Sequence, residues 1–550
     1  MHNLSNYWIN VNKIKNFILD DPLLDWLDLY GKKNGFEYDK NIKDSFKDFI
    51  TQKSEILKEK IFERITDKNL VRIDKRLPIR NRIALTLKYI IEGKNIILNP
   101  ELFNNKNNLY GNCDIIVRSD KINKLFSNNL FQYGNENIGC SLHKNFHYVI
   151  LNIYCVKIKL SKNENILNTK KNIIFKSSNI LLNNSLSDIQ GYKPENIFII
   201  GDKYEIQNKI LCNENFIANI NNEDEKKIYP KIKLSLKWLK ELYLYGEDWS
   251  IYPPSRNELY PNMCNIENDF PWHNVKKEIA LKLNEITLLW NCGIKQRKSF
   301  HKEGIFQWKD VNTNNLTFNQ DKKNIISKMI DINYYSDNII VYPRKIKKKQ
   351  NIEIMNKKSV QFIVDFETIN LEDEDNYFKG IFMIGCLVVF ENNESEFKQF
   401  TAKQLNDKEE ENIVKEWIEY MEFFEQKFNT SNCKIFHWGK AEQFIYRQVN
   451  NKLKFKDLNF IDLLDVFKTE PIIIKDCFSY GLKDIVKSLH KYGIIKEIWE
   501  EEMNGKEAMI KAWENYNNKD KSNVMENIKK YNYYDCKVID NILIFLREMI

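Results

Sequence analysis

Ser359-Val-Gln-Phe-Ile-Val-Asp-Phe-Glu-Thr-Ile369 is an apolar run that ends in two carboxylates one residue apart, Asp365 and Glu367. Val, Phe and Ile bounded by charge read as a buried strand. Residues i and i+2 of a strand point to the same face, so both carboxylates project together. Two like charges held that close repel unless something positive sits between them. Hard divalent cations such as Mg²⁺ prefer carboxylate oxygens and would supply that charge. Taken alone, the pair also fits a strand that simply ends in solvated acids.

Three further segments carry matching acids. Cys433-Lys-Ile-Phe-His-Trp-Gly-Lys-Ala-Glu442 reads as a short strand, a Gly turn and a helix whose first turn holds Glu442. Phe460-Ile-Asp-Leu-Leu-Asp-Val-Phe467 places Asp462 at the start of another apolar run. Tyr531-Asn-Tyr-Tyr-Asp-Cys-Lys-Val-Ile-Asp-Asn-Ile-Leu543 is helical in period, and Tyr531 and Asp535, four apart, share one face. This order resembles the RNase H-like DEDD exonucleases, in which four acids hold two metal ions and the Tyr of Tyr-x-x-x-Asp orients the attacking water.

The wording Asp-Phe-Glu, His437-Trp-Gly-x-x-Glu442, Asp462-Leu-Leu, Ser479-Tyr-Gly-Leu-Lys483 and Tyr531-Asn-x-x-Asp535-Cys resembles, more narrowly, the C-terminal domain of a RecB-type nuclease family. Those proteins join a PD-(D/E)XK nuclease domain, a helix-hairpin-helix-like segment and an RNase H-like domain. The resemblance implies Asp365, Glu367, Glu442 and Asp535 as ligands of two Mg²⁺ or Mn²⁺ ions, with Tyr531 beside the water. Ordinary DEDD enzymes have Asp where this chain has Glu442, and Asp462 stands open between a fourth ligand, an acid behind the ligands and a helix N-cap. Lys483 could neutralise a phosphate oxygen. His437 could touch substrate or pack beside the turn.

In the N-terminal half, Leu109-Tyr-Gly-Asn-Cys-Asp-Ile-Ile-Val-Arg-Ser-Asp120 resembles the strand bearing the first PD-(D/E)XK acid, with Asp114 in that role. The next strand, His147-Tyr-Val-Ile-Leu-Asn-Ile-Tyr-Cys-Val-Lys-Ile-Lys159, has Asn152 and Tyr154 where the family has Asp and Lys. Neutral Asn weakens metal binding, and Tyr supplies no ammonium to stabilise the phosphorane. Lys157 or Lys159 could substitute only across a shift of about 7 Å for two strand residues. Asn179 and Gln190-Gly-Tyr follow the family's next helix and turn. The expectation is a kept fold with lost chemistry.

The middle of the chain resembles the family too. Lys276–Trp290 reads as an amphipathic helix, and Cys292-Gly-Ile-Lys-Gln-Arg-Lys-Ser-Phe-His-Lys-Glu-Gly304 as a Gly turn, a basic helix and a second Gly turn. Such hairpins present backbone N–H groups to phosphates, and Lys295, Arg297 and Lys298 are the candidates beside them. A helical spacer with a solvated basic face fits the same residues.

A chain of 550 residues exceeds one core. The expected division is an N-terminal helical extension (1–60), an inactive PD-(D/E)XK-like domain (61–245), a helix-hairpin-helix-like segment (246–340), a basic linker (341–357) and an RNase H-like domain (358–550). The apolar fraction of 43% suits globular packing, and the net charge of +8 includes the run Arg344-Lys-Ile-Lys-Lys-Lys349. Asn, Ile and Lys abound, as in AT-rich genomes, so isolated Lys and Asn carry little information.

The ten cysteines show no metal or redox spacing, which points to reduced thiols. The first residues show no basic region followed by an apolar stretch, no run is long enough to span a membrane, and no Walker-type loop occurs. The expected setting is intracellular, cytoplasmic or nuclear, in a microbe or a large DNA virus.

The fold class expected is α/β: an RNase H-like domain (a mixed sheet flanked by helices), a restriction-endonuclease-like N-terminal α/β domain and a small helical segment between them. The function expected is a divalent-metal-dependent nuclease, a 3′-to-5′ exonuclease on DNA or RNA. Its partners would be nucleic acid and a separate helicase or repair protein, and no membrane. The alternative is a nucleic-acid-binding or assembly protein with both nuclease folds retired; the complete C-terminal acid set argues against it.

Overall fold

The computed structural model describes residues 7–40, 44–125, 135–162, 164–207, 209–211, 217–221, 225–336, 338–372, 377–499, 503–518 and 523–550. The chain divides into two compact units, Met1–Leu283 and Asn284–Ile550. That boundary falls inside the segment 246–340.

The first unit is built on a seven-stranded mixed sheet. Helix α1 (Ser45–Arg64) precedes β1 (Leu70–Arg72), β2 (Ile96–Leu98), β3 (Ile115–Arg118) and β4 (Tyr148–Leu160). Helix α2 (Lys170–Gln190) leads to β5 (Asn196–Ile206), β6 (Lys209–Leu211) and β7 (Ala218–Asn221). The order is β7-β5-β4-β3-β2-β1, with β6 on β5. β4 is buried on both faces because its alternation serves two helices. Val149, Leu151 and Ile153 share a core with Ile61 and Phe62 of α1, while Tyr148 and Ile150 share one with Ile180 and Leu181 of α2.

The helical segment at the N-terminus is part of this unit. Lys276 of helix α3 (His273–Leu283), with a fully buried side chain, pairs with Asp21 at 2.9 Å and Asp269 at 2.7 Å. α3 ends well before Trp290, correcting the longer helix expected there: Asn284 takes a left-handed backbone (φ 50°), and a 3₁₀ turn follows at Ile286–Leu288.

The second unit contains helix α4 (Ile294–Lys302) and a five-stranded sheet with its helices. The sheet is made of β8 (Val360–Glu372), β9 (Tyr377–Phe390), β10 (Ser395–Thr401), β11 (Ile435–His437) and β12 (Phe460–Asp462). The helices are α5 (Asp407–Lys427), α6 (Ala441–Leu453), α7 (Leu463–Thr469), α8 (Leu482–Lys491), α9 (Gly505–Asn518) and α10 (Val524–Glu548). The order is β10-β9-β8-β11-β12. β8, β9 and β10 form an antiparallel meander, and β11 and β12 run parallel to β8.

β8 is apolar on both faces because helices cover both. Phe366 meets Trp417 of α5 edge-on, with ring centroids 5.3 Å apart. Its neighbour Asp365, on the opposite face, meets Asn532 of α10. Helix α5 starts where Asn406 caps the Glu409 N–H and acids fill the first turn, and it buries Ile413, Val414, Trp417, Ile418, Met421 and Phe424 at helical spacing.

Residues 341–357, read as a linker, are folded into this unit. Val341–Tyr342 pairs with Ile473–Ile474, Lys349–Met355 is helical, and Ile346 and Met355 are buried. No disulfide joins the nine described cysteines. Among the described residues, no helix is long and apolar enough to cross a membrane.

Candidate metal centre

The two carboxylates of β8 meet the third on α10. Asp365, Glu367 and Asp535 each present an oxygen within 4.8 Å of the others, and among the described residues this is the one such group of His, Cys, Asp or Glu. Glu367 and Asp535 are buried, whereas Asp365 keeps partial exposure. Residues 528, 532, 535, 536 and 539 of α10 form its buried stripe, which turns Asp535 toward the sheet.

The electrostatics follow from this crowding. Desolvation, then repulsion from Asp535, Glu367 and Glu442, holds the Asp365 carboxyl well above its ordinary range. Glu367 is pushed up to about 8 by desolvation and by Asp535 and Glu442. Asp535 rises to about 6 through desolvation, moderated by hydrogen bonds from Trp499 and Tyr531 and by the charge of Lys483. Burial and the neighbouring acids keep the Tyr531 hydroxyl protonated. Three hard oxygen donors with such mutual repulsion suit a divalent cation, which would relieve the repulsion on binding.

Glu442 stands beside the group rather than in it. It lies in the first turn of α6, and its Oε2 is 3.2 Å from Nδ1 of the fully buried His437. Asp462 is a cap. Its Oδ1 accepts from Leu464 N at 2.9 Å, which starts α7, and from Gly439 N at 2.8 Å, which pins a turn whose glycine has φ 90°. Oδ1 is engaged by two backbone donors, Oδ2 is buried without a hydrogen-bond partner among the described residues, and Asp462 is not among the three carboxylates that converge. Lys483 donates to the Met503 carbonyl, and its Nζ lies 5.5 Å from the ring centroids of Trp499 and Tyr531.

Two contacts were not visible in the sequence. Trp499 Nε1 donates to Asp535 Oδ1 at 2.8 Å from a stretch outside regular structure. Asn532 Nδ2 donates to Asp365 Oδ2 at 2.9 Å. The first has no pattern to betray it, and the second residue stands in the wording Tyr531-Asn-x-x-Asp535, which gave it no role.

In the first unit, Asp114, Asn152, Asn179 and Tyr154 are brought together and satisfied by one another. Asp114 N donates to Asn152 Oδ1 at 2.7 Å, Asn152 Nδ2 to Asn179 Oδ1 at 2.6 Å, and Asn179 Nδ2 to the Tyr154 hydroxyl at 2.8 Å. Asp114 Oδ2 accepts from Ile153 N at 2.8 Å, and its Oδ1 pairs with Lys58 of α1 at 2.8 Å. Lys157 and Lys159 both reach Glu205 instead, at 2.6 and 3.1 Å.

On α4, Lys295 and Lys298 are exposed, but Arg297 is buried against Glu285 at 3.3 Å. This corrects the reading of Arg297 as a phosphate-facing residue. The helix starts at Ile294, where Gln296 caps the Gly293 N–H at 3.1 Å, so Arg297 and Phe300 face inward.

Residues 362–546 match the family model described as RNase H superfamily. No curated protein matches the chain. The C-terminal part is therefore an RNase H-like domain, and the three converging carboxylates lie within it.

Proposed function

We propose that the chain is a divalent-metal-dependent nuclease working from the Asp365–Glu367–Asp535 group, as a 3′-to-5′ exonuclease. The observation that carries this is the convergence of those three oxygens within 4.8 Å, with Tyr531 one helical turn before Asp535. An RNase H superfamily match over the same residues supports action on nucleic acid.

Asp365, Glu367 and Asp535 would hold Mg²⁺ or Mn²⁺, and Glu442, whose charge acts on all three, is the candidate ligand for a second ion. When bound, such ions lower the pKa of a water and neutralise charge on the phosphate. The chain's own groups do the rest. Tyr531, held protonated, gives its hydroxyl hydrogen to Asp535, and its oxygen is left to accept a hydrogen from the attacking water and orient it. Lys483 places its ammonium beside Tyr531 and Asp535, where a non-bridging phosphate oxygen would sit. Trp499 fixes the Asp535 carboxylate. Lys295 and Lys298 offer charge to a phosphate backbone.

The first unit fits a PD-(D/E)XK-like fold that binds nucleic acid without cutting it. The Asp114 carboxylate there meets the Lys58 ammonium and the Ile153 N–H. In the full chain, Asp114→Ala is expected to lower the melting temperature of the first unit, because Lys58 loses its partner, while the folded protein keeps cleavage within about twofold of the parent. Loss of most activity in that variant would return chemistry to the first unit. The test of the whole reading is incubation with end-labelled single- and double-stranded DNA and RNA in Mg²⁺ or Mn²⁺. Ladders shortening from the 3′ end support it, and intact substrates under all conditions would favour a retired nuclease that only binds.

A further inference from the structure

Asp365 is gripped at two points by one amide. Asn532 Nδ2 donates to its Oδ2 at 2.9 Å and to its backbone carbonyl at 3.1 Å. Asn532 is fully buried, and its Oδ1 accepts from Gln399 Nε2 at 3.0 Å. The same Gln399 nitrogen donates to the Lys529 carbonyl at 2.7 Å.

These contacts fix both amides by donor logic. A peptide carbonyl only accepts, so the Gln399 atom beside Lys529 is the nitrogen. The Asn532 atom facing that nitrogen must then be the oxygen, which leaves its NH₂ for Asp365. The backbone makes room for the arrangement. Asp365, Gly385 and Gln399 form one cross-strand row of β8, β9 and β10. A Cβ on Gly385 would collide with Asn532 Oδ1 and come within 2.9 Å of its Cγ and 3.0 Å of Cys536 Sγ. Glycine at 385 is what lets Asn532 lie between the sheet and Asp365.

We propose that Gln399 and Asn532 form a positioning relay that presents Asp365 as a metal ligand, with Gln399 setting the direction of the Asn532 amide. The inference rests on the metal-dependent reading above. Without the relay, Asp365 faces three acids with no opposing donor and turns away from them.

The decisive variant is Gln399→Glu, read at pH 8 in the full chain. The new carboxylate cannot donate to Lys529 or to Asn532. The Asn532 amide then rotates its NH₂ toward that carboxylate and its oxygen onto Asp365. Position 399 lies two strands from Asp365, about 10 Å away at ordinary strand spacing. An added negative charge at that distance attracts a cation by itself. Weaker metal binding can therefore come only through the relay.

Isothermal titration with Mn²⁺ alone is expected to show affinity 10- to 100-fold below the parent, on the scale of lost hydrogen bonds behind metal ligands, roughly as elsewhere. Melting should be little changed, and excess Mn²⁺ should restore turnover on end-labelled substrate. Asn532→Leu should show the same loss; if it does not fold, Gln399→Glu decides alone. Parent-like Mn²⁺ affinity in folded Gln399→Glu overturns the relay and leaves the nuclease reading standing. No Mn²⁺ binding by the parent at millimolar concentration overturns both.

Discussion

Asp365→Asn or Asp535→Asn abolishes cleavage, by at least about 10³-fold, and at the same time raises the melting temperature of the metal-free protein. The first effect follows from the ligand role: a lost carboxylate removes charge at the centre itself, and even one preorganised donor is worth about 10²–10³ in turnover. The second follows from the crowding. Asp365, Glu367 and Asp535 lie together with Glu442 close by, and neutralising one relieves repulsion on the others. A variant that is dead because it misfolds would melt lower, so the opposite signs separate a catalytic loss from a structural one. End-labelled substrate assays and thermal melts in a chelator check both. Full activity in either variant would remove the group from the reaction.

The metal-free protein becomes more stable as pH falls from about 8 to about 5. Glu367 is held at about 8 and Asp535 at about 6 in the folded chain, against ordinary carboxylate values near 4 when unfolded. Between those limits the native state binds more protons than the unfolded state. Stability is therefore fully present below about pH 4, falls as pH rises through the interval, and is lost above about 8. The second unit's transition should shift by at least ~5 °C across the range. The trend should flatten in Asp365→Asn/Glu367→Gln. Mn²⁺ at pH 8 should restore the stability by taking the protons' place, with protons released on binding. A pH-independent transition in the parent would mean that the carboxylates are less crowded than the geometry requires.

The acids that declare themselves in the sequence do so because strand and helix periods fix where they point. Asp365 and Glu367 sit two apart on a strand, and Tyr531 and Asp535 four apart on a helix. Their meeting needs only the two elements to pack, which their apolar residues ensure. Glu442 was legible as a first-turn acid, but its pairing with His437 depends on how β11 enters α6. Asp462 could be read as ligand, as an acid behind the ligands or as a cap, and two backbone donors engage its Oδ1. Arg297 looked like part of a basic surface until the Gly293 cap set the phase of its helix.

Trp499, Gln399 and Lys58 left no trace, since each acts through a partner more than thirty residues away in sequence. The restriction-endonuclease-like reading of the first unit rests on the same kind of local wording. There, Asn152 and Tyr154 could be read as departures from the family's Asp and Lys, but Lys58 could not be foreseen from a helix of ordinary charged residues.

The pairing of β8 with β9 slips by one residue between Glu367 and Thr368, where Met383 is followed across the ladder by Ile381. That slip divides the hairpin into two stretches with different tolerance of inherited length change. Past the slip, where Thr368–Glu372 pairs with Tyr377–Ile381, none of the three carboxylates depends on the register. On the inner side, one residue added to β9 between Met383 and Phe390 would exchange the two faces of the strand. The glycine opposite Asp365 would give way to a bulky neighbour, and Asn532 would lose its place. Insertions and deletions among descendants of this chain should therefore avoid the eight residues from Met383 to Phe390.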